Sequence, residues 1–198
     1  MYLMVDNYDS FVYNLACYLE ELGEEVELVR NDKISVSQVE AMRLAGILEG
    51  ILISPGPKSP KDCGNCCEIV KRMAGKIPIL GVCLGHQIIS LAYGAKTYKL
   101  KFGHRGGNHP VKNLLTGKIE MTSQNHSYAV DAHSLAGTGL ELTHIDLLDH
   151  TVEGVRSVGD RIASVQYHPE SAPGPQDSGY LFDLFLAQMD ETKQTQEG

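Results

Sequence analysis

The chain has 198 residues and a formal net charge of −8; 42% of its residues are hydrophobic and 21% are charged. This length predicts a single domain over residues 1–190 that needs no disulfide or metal for stability, followed by a flexible tail at 191–198. The negative charge argues against nucleic acid as a partner, because phosphate binding requires a basic patch. The apolar stretches are only strand-length, so we expect no membrane span.

The cysteine content indicates a reducing compartment. The five cysteines are an odd number, and the first residues are typical of a strand rather than of an export signal. We therefore expect free thiols in a cytoplasmic protein. The run Cys63-x-x-Cys66-Cys67 lacks a fourth ligand at suitable spacing, so we expect these side chains to pack in the fold, with no metal and no cofactor.

Strands and helices alternate in the first half of the chain. Strands are predicted over residues 2–5, 25–29, 50–53 and 77–82, and helices over 11–21, 36–44 and 66–74, with a further helix ending near Gly94. Ser10 is the candidate N-cap of the first helix. This alternation predicts an α/β fold of three layers, in which helices flank a mostly parallel central sheet.

From Thr97 onward the pattern changes to short strands joined by turns. The strands are predicted over residues 118–122, 128–130, 141–143 and 153–156, and they would form a small antiparallel sheet. Before these strands, residues 104–109 are predicted to be a turn that exposes His104 and His109, with contact to a partner protein as the alternative for this segment. A strand over 162–167 and a helix over 180–189 complete the domain.

Cys83 is the most informative residue, because it stands where an apolar strand runs into a helix. It lies in the run Gly-Val-Cys-Leu-Gly-His-Gln, with Gly81 and Gly85 two positions to either side. Small neighbours permit the strained turn of a nucleophile elbow, and the N-terminus of the next helix favours a thiolate. Polar turns at residues 6–10 and 54–58 also follow parallel strands, so all three segments should face one crevice.

His168 and Glu170 are the candidate partners of this thiol. They stand two positions apart after a strand, so their side chains share a face, and Pro169 stiffens the pair. We expect His168 to exchange a proton with Cys83 and Glu170 to orient the imidazole. A buried packing cysteine is the alternative for Cys83 taken alone.

Three ordered motifs resemble the class I glutamine amidotransferase family over almost the whole chain: the run around Cys83, the later Tyr-His-Pro-Glu that ends at Glu170, and the earlier Ser-Pro-Gly-Pro that ends at Pro57. The resemblance implies a flavodoxin-like fold and hydrolysis of L-glutamine to L-glutamate and ammonia through a thioester on Cys83. It implies an oxyanion hole formed by the N–H groups of Gly56 and Leu84. It also implies a set of substrate-binding residues, namely Gly56, Lys58, Leu84, Gln87, Asn125, Ser127 and Tyr128. Lys58 stands where the family usually has glycine, so we expect weaker glutamine binding.

Different parts of the sequence indicate two different synthases as the partner that receives the ammonia. Residues 4–15 resemble the glutaminase subunit of anthranilate and aminodeoxychorismate synthases, whereas residues 99–111, 122–131, 143–155 and 171–185 resemble the small chain of carbamoyl-phosphate synthetase. That small chain carries an additional N-terminal domain, which we do not find here. Length and the opening motif therefore favour a chorismate-using synthase, with carbamoyl-phosphate synthetase as the alternative.

Two other functions stay open. A γ-glutamyl peptidase or hydrolase would use the same three side chains, although the synthase-type motifs argue against it. A non-catalytic regulatory binding module would keep Cys83, His168 and Glu170 without turnover, and only the substitution at Lys58 favours it.

Overall fold

A computed structural model describes residues 1–57, 59–171 and 180–187. Lys58 and the tail predicted at 191–198 lie outside these residues. Among the described helices, none is long and apolar enough to cross a membrane.

Four strands from the first half of the chain and one late strand form the parallel part of the sheet, in the order β2-β1-β3-β4-β9. The strands are β1 (Tyr2–Asp6), β2 (Val26–Arg30), β3 (Gly50–Ile53), β4 (Ile79–Val82) and β9 (Ile162–Val165). The helices are α1 (Val12–Glu21), α2 (Val36–Leu44), α3 (Cys66–Met73), α4 (Leu84–Ala92) and α5 (180–187). The capping prediction is wrong at α1, whose N-cap is Phe11 rather than Ser10, with no side-chain cap hydrogen bond.

Both faces of the parallel strands are covered, which explains why these strands are continuous apolar runs. Alternate residues of β1 point to opposite faces. Leu3 and Val5 pack with side chains of α2, α3 and α4. Tyr2 and Met4 pack instead with α1 and α5, the latter through Phe182 and Phe185. Helix α5 is thereby fixed against the sheet.

The second half of the chain continues the same sheet in antiparallel fashion. Its strands are β5 (Thr97–Asn113), β6 (Ile119–Val130), β7 (Glu141–Asp146) and β8 (Val152–Ser157). Strand β8 pairs with β9, which joins the two halves, and β7 pairs with both β5 and β8. The ladder β8-β6-β5-β7 therefore returns to β8 and closes. A closed ladder has no free edge strand.

The α/β class is as predicted, but the prediction of a mostly parallel, flavodoxin-like sheet with a separate antiparallel one is wrong in detail. The described residues form one nine-stranded sheet with four parallel and five antiparallel pairings. The turn predicted at 104–109 is also wrong, since these residues belong to β5 and His104 is buried. The prediction of a turn failed because the segment is rich in glycine and charged residues. Register shifts in the β5–β6 ladder also break its alternation.

Candidate functional site

Cys83 occupies a strained turn between β4 and α4. Its backbone has φ 53° and ψ −103°, a conformation that L-residues adopt rarely and at a cost. The two flanking glycines make the turn possible because neighbouring backbone segments approach so closely there that no Cβ fits. A Cβ on Gly81 would lie 2.7 Å from the carbonyl carbon of Gly85, and a Cβ on Gly85 would overlap the carbonyl oxygen of Ile53. The spacing of glycines around Cys83 thus reflects close packing under α4.

His168 and Glu170 follow β9 and stand beside this turn. The Nδ1 of His168 donates to the Oε1 of Glu170 at 2.7 Å, and the Glu170 side chain is 2% exposed. The backbone N–H of His168 donates to the Ser123 carbonyl, which ties this loop to β6. The structure therefore brings together the three residues that the sequence singled out.

The environment of His168 favours the imidazolium. Burial lowers the pKa of His168, but the hydrogen bond and charge of Cys83, together with those of Glu170, outweigh burial and raise that pKa well above 6.5. A protonated imidazole between a sulfur and a carboxylate is the arrangement that keeps a thiolate ready to attack.

Gln166 also contacts the sulfur, and the sequence analysis missed it. Its Nε2 donates to the Sγ of Cys83 at 3.7 Å. Its Oε1 accepts from the Nε2 of Gln87 at 2.9 Å, and the same nitrogen of Gln87 donates to the Tyr128 carbonyl at 3.0 Å. Gln166 directly follows β9 and stands two positions before His168, within the strand predicted over 162–167, so the predicted strand alternation could have placed both on one face.

Gly56 and Leu84 lie next to each other beside Cys83. A Cβ on Gly56 would be 2.5 Å from the Asn7 carbonyl oxygen and 2.9 Å from the Leu84 side chain, so only glycine fits. Asn7 in turn holds the loop through Ser54, since its N–H donates to Ser54 Oγ at 2.8 Å. Leu84 begins α4, and the first N–H groups of a helix have no partner within it.

These residues line one cavity of about 810 Å³. The predicted residues on its wall are Gly56, Cys83, Leu84, Gln87, Asn125, Ser127, Tyr128, His168 and Glu170. The turn at 6–10 also lines this cavity, through Tyr8, Asp9 and Ser10. This agrees with the prediction that the polar turns face one crevice. The cavity is large enough for a free amino acid.

The charged groups of the cavity suit a zwitterion. Lys99 and Arg105 lie on its wall, and Arg105 Nη2 donates to Ser127 Oγ at 3.0 Å. Asp9 also lies on the wall, where burial raises the pKa of its carboxyl. Sequence reasoning did not assign Lys99 or Arg105 to the cavity; it took the segment 104–109, which contains Arg105, for a turn.

The cysteine run near α3 packs as expected and lies apart from the cavity lining. Cys63 and Cys66 are buried, and the Sγ of Cys66 lies 3.2 Å from Asn7 Oδ1. Burial raises the pKa of all three thiols. A different set of metal-ligating atoms, from His104, His126 and Glu153, gathers within 4.8 Å behind the cavity wall.

The fold and the site define an α/β protein with a cysteine elbow, an imidazole and a carboxylate at the carboxyl edge of its parallel strands. A family model described as glutamine amidotransferase class-I matches residues 3–188. The chain belongs to the class I glutamine amidotransferase family, and the family predicted from its motifs is confirmed.

Curated relatives share this similarity with high identity. The carbamoyl phosphate synthase small chain of Fusobacterium nucleatum is 49% identical over 87% of this chain and 50% of its own length. That of Staphylococcus saprophyticus is 46% identical over 94% of this chain and 53% of its own length. The chain thus spans about half the length of these relatives.

A solved structure supports the fold. A protein of Thermoplasma acidophilum, described as a subunit of GMP synthase, superposes with a TM-score of 0.80 at 23% identity, covering 100% of this chain and 97% of that one. At this identity the likeness bears on the fold alone.

The prediction of a chorismate-using synthase is not supported by these comparisons. The relatives carry the name carbamoyl phosphate synthase small chain, which was the alternative. In that prediction, chain length and one opening motif outweighed four segments that together are longer than the motif. The opening forms the end of β1, the turn whose Asn7 packs against Gly56, and the start of α1.

Proposed function

We propose that this chain is a glutaminase that releases ammonia from L-glutamine by covalent catalysis at Cys83. The observation that carries the proposal is the contact of the buried Cys83 sulfur with His168, whose other nitrogen is bound by Glu170. Family membership makes glutamine the amide to consider first.

The reaction follows from the positions of these groups. The sulfur of Cys83 attacks the side-chain carbonyl carbon of glutamine, and the carbonyl oxygen gains the negative charge. The imidazolium of His168 gives its proton to the amide nitrogen, so the C–N bond breaks and ammonia leaves. Water then attacks the resulting thioester, His168 takes a proton from that water, and the C–S bond breaks to release glutamate and the thiolate.

The oxyanion would be bound by the N–H groups of Gly56 and Leu84. Each such donor stabilises the transition state by roughly 3 kcal/mol, about a hundredfold or more in rate. The close approach of Gly56 to Asn7 fixes one donor, and the start of α4 fixes the other. Preorganised donors of this kind need no rearrangement during the reaction.

The substrate would be held by residues of β6 and by Arg105. Asn125, Ser127 and Tyr128 line the cavity from β6, and Arg105 offers its guanidinium to the α-carboxylate. Gln87 also has a structural role, because its amide nitrogen donates hydrogen bonds to Gln166 and to the Tyr128 carbonyl. Lys58 lies outside the described residues, so its expected effect on glutamine binding stays a prediction.

The ammonia would pass to the large subunit of a carbamoyl-phosphate synthetase. The identity of 45–55% to small chains of that name supports this partner. The test combines the purified chain with such a large subunit, or with a chorismate-using synthase, and follows glutamine-dependent product. We expect carbamoyl phosphate in the first mixture and no aminated chorismate in the second; the reverse result would contradict the proposal. Equal product from a Cys83→Ala chain would instead favour a regulatory module.

A further inference from the structure

A cluster of histidines and carboxylates lies inside the closed antiparallel ladder, apart from the catalytic side chains. Its members are contributed by different strands: His104 by β5, Gln124 and His126 by β6, and Glu153 by β8. All four are buried, and Glu153 is 0% exposed. Burying an acid and two imidazoles in one place is unfavourable unless something compensates their polarity.

Four atoms of this cluster have the mutual spacing of ligands around one ion. Gln124 Oε1 lies 2.9 Å from His104 Nδ1 and 2.8 Å from His126 Nε2. Glu153 Oε1 lies 3.6 Å from the same nitrogen of His104 and 3.8 Å from that of His126. Ligands about 2.1 Å from a metal are separated by roughly 3.0 to 3.4 Å in octahedral or tetrahedral sites. Small movements would therefore close the four atoms on a cation.

The other ring nitrogens of His104 and His126 have the kind of hydrogen-bond partner that metal-ligating histidines have. His104 Nε2 lies 2.9 Å from Asp149 Oδ2, and His126 Nδ1 lies 2.8 Å from the Tyr128 carbonyl oxygen. A carboxylate or carbonyl behind each imidazole fixes its orientation and tautomer in metal sites. The second oxygen of Glu153 is held too, since it accepts from Gln124 Nε2 at 3.0 Å.

Both ring nitrogens of His126 face oxygens. The Nδ1 atom lies 2.8 Å from the Tyr128 carbonyl oxygen, and the Nε2 atom lies 2.8 Å from the amide oxygen of Gln124. The Gln124 amide is held in this orientation because its nitrogen donates to Thr122 and Glu153. In its neutral form an imidazole has one N–H, so it can donate to only one of the two oxygens.

Next to this cluster lie two further buried atoms without a hydrogen-bond partner. These are His109 Nδ1 and Asp146 Oδ2, which lie 3.5 Å apart, with the rings of His104 and His109 stacked. Asp146 is fully buried. Together with His104 they form a second, adjacent group whose possible ligand atoms lie within 4.8 Å of one another.

We infer that His104, His126, Glu153 and the side-chain oxygen of Gln124 form a binding site for a divalent transition-metal ion of the zinc type. Two imidazoles and a carboxylate are a ligand set that zinc takes in proteins. The ion would join β5, β6 and β8 across the closed ladder.

The site would also support the cavity wall. His126 lies on that wall, and its partner, the Tyr128 carbonyl, accepts the hydrogen bond of Gln87. An ion at His126 therefore fixes the strand that carries Asn125 and Ser127. We expect the ion to be structural and to leave the bonds made and broken at Cys83 unchanged.

The test measures zinc in the chain prepared without a polyhistidine tag, loaded with Zn²⁺ and desalted. We expect about one zinc per chain and a higher melting temperature than that of the chelator-treated protein. Glu153→Gln and His104→Gln should lose the metal, and Asp149→Asn should weaken binding about 10- to 100-fold. His133→Gln changes an exposed histidine in the turn Ala132–Leu135 and should keep the metal.

Cobalt distinguishes this site from the cysteines near α3. Co²⁺ bound by nitrogen and oxygen gives visible bands without the intense near-ultraviolet band of a thiolate ligand, and Cys66→Ser should leave the spectrum unchanged. A thiolate band, equal zinc in Glu153→Gln and His133→Gln chains, or no retained zinc in folded protein would each overturn the inference. Circular dichroism confirms that each variant is folded, and the isosteric Glu153→Gln keeps the test valid where His104→Gln is unstable.

Discussion

The side-chain amide of Gln166 donates a hydrogen bond to the sulfur of Cys83, with 3.7 Å between Nε2 and Sγ. Gln166 is fully buried, and Gln87 holds its oxygen. The amide dipole is thereby fixed with its positive end toward the sulfur. We propose that Gln166, together with His168, positions this sulfur for attack.

Replacing Gln166 by leucine should slow catalysis more than it weakens substrate binding. A hydrogen bond to a charged group contributes about 1.5–3 kcal/mol, so Gln166→Leu should lower kcat about tenfold or more. The measurement is steady-state glutamate release, with KM expected to change less than kcat. Gln38→Leu, in the capping box of α2, serves as the control and should leave kcat unchanged. Wild-type kcat in Gln166→Leu would refute a positioning role.

Adding one methyl group at Gly85 should destabilise the fold. The new Cβ would overlap the Ile53 carbonyl, which belongs to a central strand and cannot move freely. We expect Gly85→Ala to lower the free energy of unfolding by about 1–3 kcal/mol in urea titrations. Gly159→Ala is the matched control, because open space surrounds that position. Equal midpoints for the two variants would show that the turn can relax.

His168 should remain protonated above neutral pH. Its folded pKa is raised above the ordinary 6.5, so the stability that its charge contributes is complete below that pH and is lost as the pH rises through the folded pKa. NMR titration of the histidine ring signals measures this, with the His168 signal assigned from a His168→Gln sample. Glu170→Gln should lower the pKa of His168, since it removes the charge bound to Nδ1. Titration of His168 near 6.5 in the wild type would contradict this electrostatic description.

Arg105 should contribute to binding rather than to the chemical step. If its guanidinium holds the α-carboxylate of glutamine, Arg105→Met raises KM with little change in kcat. The comparison variant is Arg43→Met, which removes a guanidinium paired with Glu40 on α2. A fall in kcat at constant KM would assign Arg105 another role.

The parallel half of the fold and the central site residues could be predicted from the sequence. Apolar strands buried on both faces and the glycines around Cys83 give strong local signals. The pair His168 and Glu170 was predicted from strand alternation, whereas the structure forms their contact across a turn that follows β9.

The antiparallel half could not be predicted in the same way. Apolar alternation is absent from β5 because most of its side chains are exposed or half-buried, and its buried side chains include the polar His104. Residues that depend on this closure were missed: Arg105 at the cavity, and the burial of His104 and His126. Closure depends on pairing between β7 and β8 and between β7 and β5, which no local pattern encodes.

The central claim is that the thiol of Cys83 attacks the amide carbon of glutamine. The direct measurement is mass spectrometry of the chain after treatment with a glutamine analogue that carries an electrophilic carbon in place of the amide. We predict one adduct, on Cys83, formed in step with the loss of glutamate release and retained in Cys66→Ser. Continued glutamate release by Cys83→Ser, or inactivation with the adduct on another residue, would contradict it.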